Sequence, residues 1–270
     1  MSVIPAAPTV SPRIMKGINL IGLKTFIHKE TSRFLNVYMQ TLIAPLVTLF
    51  LFFTVFALSL GAGDRQILGV PYIQFLAPGL LMMTMIQNAF SNSSSSITIA
   101  KVQGNIVDVL MPPLSSAEIL TGYAIGALIR GLLIGVIGIA ALLLVLHVHI
   151  DNIALVIVYA ILGNLMLGLI GILGGLWSEK FDHLAAVTNF IITPMTFLSG
   201  TFYAYDALPE VWQKIALWNP FFYMIDGFRA GFIGVAEASI PTGLALLTGM
   251  NILLVVLAWR MLSTGYKIKS

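Results

Sequence analysis

The chain has 270 residues, of which 58% are hydrophobic and only 9% charged, with a formal net charge of +3. Globular chains carry about 25% charged residues, so this one has too little polar surface to enclose its own apolar mass in water and reads as an integral membrane protein. Cysteine is absent, which excludes disulfide frameworks and thiolate metal sites.

Residues 1–13 contain Pro5, Pro8 and Pro12 and no apolar signal core, and are expected to form a disordered lead-in. Ile14 to Arg33 follows as an amphipathic helix at the cytoplasmic surface, with Leu20, Leu23, Ile27 and Phe34 on one face and Lys29 and Arg33 off it. An extension of the first span is the alternative. Apolar runs then recur at Phe34 to Gly63, Gln66 to Ala100, Gly131 to Ile150 (reaching back to about Ala117), Asn152 to Ser178, Leu184 to Tyr205 and Ala238 to Trp259. Each can supply the roughly 20 residues that cross a bilayer as helix, which predicts an all-α protein with six spans. Basic residues set the orientation. Ten of them (Arg13, Lys16, Lys24, Lys29, Arg33, Lys101, Lys180, Arg260, Lys267 and Lys269) would share the side of both termini, against Arg65, Lys214 and Arg229 opposite. The termini are therefore expected in the cytoplasm, and the positive charge marks topology; no nucleic-acid partner is implied.

Between the second and third runs, Lys101 to Met111 forms a short amphipathic element closed by Pro112-Pro113. Val102, Ile106, Val109 and Leu110 are placed on one face, with Lys101, Asn105 and Asp108 away from it. Ser115 and Glu118 match an S-x-x-E capping box that would start the third span. Arg130 lies near the middle of that span, where an arginine costs roughly 2.5–3.5 kcal/mol on insertion scales and should face protein or water. It would either bind an anionic group or pair inside the bundle. Gln87, Asn88, Asn164, Asn189 and Asn251 read as interhelical glue, Asn88 and Arg130 are the candidate intramembrane polar site, and Gly122/Gly126, Gly131/Gly135 and Gly171/Gly175 permit close packing.

No G-x-x-x-x-G-K-[ST] loop is present, so ATP hydrolysis by this chain is not expected. His147, His149 and Asp151 read as solvated loop residues, because a metal would need a further ligand. A secondary transporter would need acidic groups within the spans, and the spans hold none beyond Glu118 at a boundary. A membrane-embedded lipid-modifying enzyme would have to draw on Asp206, Glu210, Asp226 and Arg229, which capping or pairing explains more cheaply.

The stretch Phe197 to Tyr203 (F-L-S-G-T-F-Y), then Ala207-Leu208-Pro209, then Asn219-Pro220 through Tyr223 to Gly227-Phe228-Arg229, resembles the end of ABC-2 type permeases, the membrane subunits of a class of ATP-driven transporters. Glu30 to Phe34, Gln40 to Pro45, Gln74-Phe75, Pro78-Gly79-Leu80 and Phe181-Asp182 extend the likeness over nearly the whole chain, most closely to the YadH-like bacterial branch. The resemblance implies a six-helix permease forming one domain over residues 14–270, paired as a homodimer in the bacterial inner membrane with two separate ABC ATPase subunits that hold the ATP and Mg, while this chain binds no cofactor. It further implies a coupling helix at Lys101, Val102, Asn105, Ile106, Asp108, Val109 and Leu110, and an interface helix carrying Lys24, Lys29, Glu30 and Arg33. A re-entrant helix pair would run from about Asp206 to Ile233, with Gly200, Tyr203, Pro209, Asn219, Pro220, Tyr223, Asp226 and Arg229 as a gate and Asp226 pairing with Arg229. The implied function is outward movement of an amphiphile (lipid, glycolipid or drug), with saccharide or glycoconjugate export as the alternative.

Overall fold

A computed structural model describes residues 17–60, 66–146 and 148–267; the lead-in at 1–13 and the expected helix start at Ile14 lie outside them, as do Arg65 and His147. The described chain is helical apart from a hairpin pairing Gln66–Ile67 with Val70–Pro71, whose turn residues Leu68 and Gly69 both have positive φ.

Helix α1 (Leu20–Leu35) begins at Asn19, whose Oδ1 accepts the Gly22 N–H. A π-helical turn, Met39–Ile43, leads into α2 (Ala44–Leu60). The widened turn ends two residues before Pro45, where an α-helical ladder would drive the ring into the carbonyl four residues back. Helix α3 (Tyr72–Val102) is the central element, buried along most of its length. Gly104, with φ +75°, turns the chain into the short α4 (Ile106–Leu110). Then come α5 (Ser116–Leu146) and α6 (Ile153–Trp177), the latter capped by Asn152 Oδ1.

Glycines fix how these helices meet. On α6, a side chain at Gly171 would meet Ser93 Oγ and the Phe90 carbonyl, and one at Gly175 would meet the Ser94 carbonyl and Ile97. The Ser93 hydroxyl donates to the Gly168 carbonyl at 2.7 Å. Residues 90–97 of α3 thus run alongside 168–175 of α6 in the same direction. The serines of α3 and the Gly171/Gly175 pair of α6 form a small-residue seam, the close packing expected of that glycine pair. Helix α5 lies antiparallel to α3, with Gly126 against Asn92, Gly135 against Met85 and Gly138 against Leu81, while Gly122 and Gly126 receive Phe26 and Glu30 of α1.

The sequence called for six spans. Five helices of the described residues are long and apolar enough to cross a membrane: Met39–Ser59, Tyr72–Val102, Ser116–Leu144, Ile153–Trp177 and Ile240–Thr264. The remaining run is broken into α7 (Phe181–Val187), a π turn (Thr188–Ile192) and α8 (Thr193–Phe197). Its π turn again stops two residues before a proline, Pro194, so one steric cause operates twice.

After α8 the chain makes a turn at Gly200 (φ +71°) and a single 3-10 turn at Tyr205–Ala207. Helix α9 (Glu210–Trp218) is amphipathic and mostly exposed, with Trp218 86% accessible. Helix α10 (Pro220–Ile233) is its opposite, buried continuously from Phe221 to Phe232. It runs antiparallel to α6: Met224 meets Gly163, Gly227 meets Tyr159 and Gly231 meets Val156. Its N-terminus, four residues before Met224, therefore sits near the mid-height of α6, about 20 Å in from where α6 begins, at about 1.5 Å per residue. Helix α11 (Ile240–Thr264) closes the chain.

Candidate functional site

Three clusters hold the residues singled out by the sequence. The first gathers the ends of α1, α3, α5 and α6. Glu118 is its joint. One carboxylate oxygen accepts the Asn19 N–H at 2.5 Å, and the other accepts the Ser115 N–H at 2.6 Å and the Ser115 hydroxyl at 2.7 Å. The capping box of α5 thus also ties down the start of α1, a link its sequence spacing does not reveal. Lys101 donates to the carbonyls of Leu176 (2.6 Å) and Ser178 (2.5 Å), closing the end of α6; it and Val102 belong to α3, before the turn. The expected apolar face divides in two. Val109 is buried and Ile106 partly so, whereas Val102, Val107, Leu110 and Met111 face outward. Asn105 and Asp108 are exposed. A groove of about 350 Å³ runs between α1 and α4, lined by Phe26, Lys29, Asp108, Val109, Pro112 and Leu114 among others.

On α1, Lys24 is exposed and Lys29 lies 5.4 Å from the Phe26 ring centre. Glu30 is fully buried, 3.6 Å from Arg33 Nε, and accepts the Ser96 hydroxyl at 3.0 Å. Arg33 Nη2 donates to Asn92 Oδ1 at 3.0 Å and to the Asn92 carbonyl at 2.7 Å. The Glu30–Arg33 pair therefore locks α1 onto α3.

The second cluster surrounds Arg229. This side chain is fully buried, with Nη2 donating to the Gly200 carbonyl at 2.5 Å, Nη1 3.4 Å from Glu237 Oε2, and the guanidinium 3.7 Å from the centre of the Phe75 ring. The expected Asp226–Arg229 pair is corrected: Arg229 takes Glu237 as its ion-pair partner. Asp226 instead accepts the N–H groups of Glu237 (3.0 Å) and Ala238 (2.9 Å), holding the loop that carries Glu237. Glu237 also accepts the Tyr205 N–H at 2.6 Å. Desolvation pushes its carboxyl up to about 7 despite the neighbouring Arg229. Sequence inspection missed Glu237, although a buried arginine signals a carboxylate nearby.

The Pro78-Gly79 step belongs here too. A Cβ on Gly79 would lie 3.0 Å from Arg229 Nη2 and 3.2 Å from the Thr201 carbonyl, so a side chain there would press on the guanidinium and its backbone acceptor segment. Asn219 bonds the Met195 carbonyl at 2.7 Å and caps α10 through the Phe221 N–H at 3.0 Å, with Pro220 in the first turn. Pro209 precedes α9 as its cap residue. Tyr203 donates to the Phe197 carbonyl and Tyr223 to that of Leu217. Every residue of this cluster thus has a structural partner, and its acids are engaged by backbone amides and Arg229.

These are the positions on which the sequence pattern rested, and the comparisons agree with it. Residues 22–233 match the family described as ABC-2 type transporter. The chain belongs to the ABC-2 type transporter family. It is 34% identical to the inner membrane transport permease YadH of Escherichia coli K12 over 250 residues, covering 93% of this chain and 98% of that protein. It is 28% identical to nodulation protein J of Rhizobium leguminosarum bv. viciae over 193 residues, 69% and 74% of the two chains. The ABC-2 match covers most of the residues described above, with Asn19 and the loop carrying Glu237 just outside its ends.

The third cluster lies inside the helices. Arg130 of α5 is 8% exposed, and its Nη2 donates to Asn88 Oδ1 of α3 at 2.7 Å. Both face a cavity of about 340 Å³ between α2 and α3.

Proposed function

We propose that this chain is the membrane subunit of an ATP-driven exporter that moves an amphiphilic or hydrophobic substrate outward, using ATP hydrolysed with Mg by two separate ABC ATPase subunits. In this reading the permease is a homodimer in the bacterial inner membrane with both termini in the cytoplasm; its relative YadH carries the name of an inner membrane permease. The Phe181–Phe197 run makes a sixth crossing, since it starts beside Trp177 and ends near the level of Tyr72, at opposite ends of the bundle. Helices α9 and α10 then form the re-entrant pair. The N-terminus of α10 at mid-height of α6 supports this, as does the placement of Trp212 and Trp218 on the exposed α9, where amphipathic aromatic rings favour the membrane boundary.

One observation carries the coupling part: α4 presents Val107, Leu110 and Met111 outward, while Glu118 and Pro112–Leu114 bind it to the starts of α1 and α5. A push on α4 by a closing ATPase pair therefore reaches two helices through short hydrogen bonds and not through a loose loop. Co-expression with candidate ATPases tests this. A stable complex that hydrolyses ATP in lipid is expected, and Val107→Glu with Met111→Glu should weaken its assembly. If no ATPase copurifies, or the double variant assembles like the wild type, the reading fails.

A further inference from the structure

Arg130 is a buried cation without a counter-ion among the described residues. Arg33 and Arg130 dock one helical turn apart on the same α3 helix, on Asn92 and Asn88. Arg33 has Glu30 as its partner at 3.6 Å, whereas no carboxylate lies within ion-pair distance of Arg130 among the described residues. Its one hydrogen bond there, to Asn88, uses a single N–H of five; Nε is buried with no acceptor. A guanidinium at mid-height of a membrane helix is unfavourable unless its charge is met, and Asn88 offers only a dipole.

The cavity in front of Arg130 is graded along its length. Helix α2 and the turn before it run from Gln40 to Phe52 along one wall, and α3 runs the opposite way from Leu80 to Asn88 along the other. Gln40, Gln87, Asn88 and Arg130 therefore gather at the end nearer Lys101, with Phe52 and Leu80 at the other. The Gln40 and Gln87 side chains make no hydrogen bond among the described residues, while Thr48 and Thr84 donate to carbonyls of their own helices. Free amide donors beside an uncompensated guanidinium, with an apolar continuation, match one ligand chemistry: an anionic head followed by a hydrocarbon tail.

We infer that this cleft binds the phosphate or carboxylate head of an amphiphile at Arg130, with its tail toward Phe52 and Leu80, and that the bound molecule is the transported one. The last clause rests on the exporter reading; the binding site does not.

The test is equilibrium binding of radiolabelled dodecyl phosphate to the permease–ATPase complex in phosphatidylcholine nanodiscs, with dodecyl maltoside and inorganic phosphate as comparators. In Arg130→Gln the half-saturating concentration of dodecyl phosphate should rise by at least about tenfold, the factor expected for losing a charge-assisted hydrogen bond, while dodecyl maltoside is unaffected. Thr48→Trp, which fills the cleft from its α2 wall without touching Arg130, should block dodecyl phosphate as well and covers the case in which Arg130→Gln does not fold. Unchanged dodecyl phosphate binding in either variant overturns the site, as does a parallel loss of dodecyl maltoside in Arg130→Gln or equal competition by inorganic phosphate. Adding phosphatidylglycerol to the nanodiscs separates the sources: competition would assign the cleft to resident lipid and overturn the transport clause, and its absence supports it. ATPase copurification is scored in the same samples. Its failure would remove the exporter reading while leaving the binding result, whereas an intact ATPase with unchanged Arg130→Gln binding would sink this site alone.

Discussion

Replacing Arg229 with methionine should be among the most damaging single changes in this chain. The side chain is fully buried, so methionine loses the charge-assisted bond to the Gly200 carbonyl and leaves the Glu237 carboxyl without its cation. Breaking a buried pair from one side costs about 3–5 kcal/mol. The loss spreads, because Gly200, Tyr205 and the loop before α11 are all held through Arg229 or Glu237. Glu237→Gln is the informative partner: its amide oxygen still accepts the Tyr205 N–H, and because desolvation already outweighs the pull of Arg229 on the charged carboxylate, losing the ionic component should cost no more than about 1 kcal/mol. Thermal unfolding in detergent, followed by size-exclusion chromatography, should show Arg229→Met falling on the order of 10 °C and Glu237→Gln by a third of that or less. An Arg229→Met protein within a few degrees of wild type would refute the argument. So would Glu237→Gln falling as far as Arg229→Met, since the cluster would then depend on charge alone.

The same carboxyl gives a pH dependence with a definite sign. Its folded value, about 7, lies above the ordinary 4.5, so the folded state holds the proton more tightly. Its contribution is present in full below about pH 4.5 and lost as the pH rises through about 7, on the order of 3 kcal/mol in all. Thermal unfolding across that window should slope downward in wild type, and the slope should shrink in Glu237→Gln. Helix contacts give a second pair. At Gly171 an added Cβ would lie 2.5 Å from the Phe90 carbonyl oxygen, so Gly171→Ala must separate α3 from α6, at about 1–3 kcal/mol. At Gly249 it would meet nothing within 4 Å, so Gly249→Ala should be neutral or stabilising by up to about 1 kcal/mol in the same assay. On α4, Val109→Glu buries a charge and should lower expression and monodispersity, whereas Val107→Glu, at an outward position, should leave both intact and reduce only ATPase copurification.

What the sequence made legible followed from properties local to a segment. Hydropathy marks α2, α3, α5, α6 and α11 because each is one uninterrupted apolar helix. The Leu184–Tyr205 run has the same composition, yet Pro194 and the Gly200 turn break it, and composition does not register a break in the hydrogen-bond ladder. Glu118 was legible as a cap, since Ser115 is three residues away, but its bond to Asn19 spans 99 residues. The α4 element looked amphipathic over Lys101 to Leu110 only if treated as one helix. The left-handed turn at Gly104 resets the phase, which is why Val102 and Val109, read as neighbours on one face, end up exposed and buried. Arg229 shows the limit most sharply. Spacing offered it Asp226, one turn away on the same helix, and a buried guanidinium does require an acid. Asp226 is instead consumed by two backbone N–H groups that would otherwise be buried without partners, and an amide left unpaired is as costly as the bond Arg229 forgoes. By holding those amides, Asp226 delivers Glu237 to the arginine. The motif's acid thus serves the ion pair by positioning its carboxylate, and Asp226→Asn, which keeps one acceptor, should weaken the pair less than Asp226→Ala.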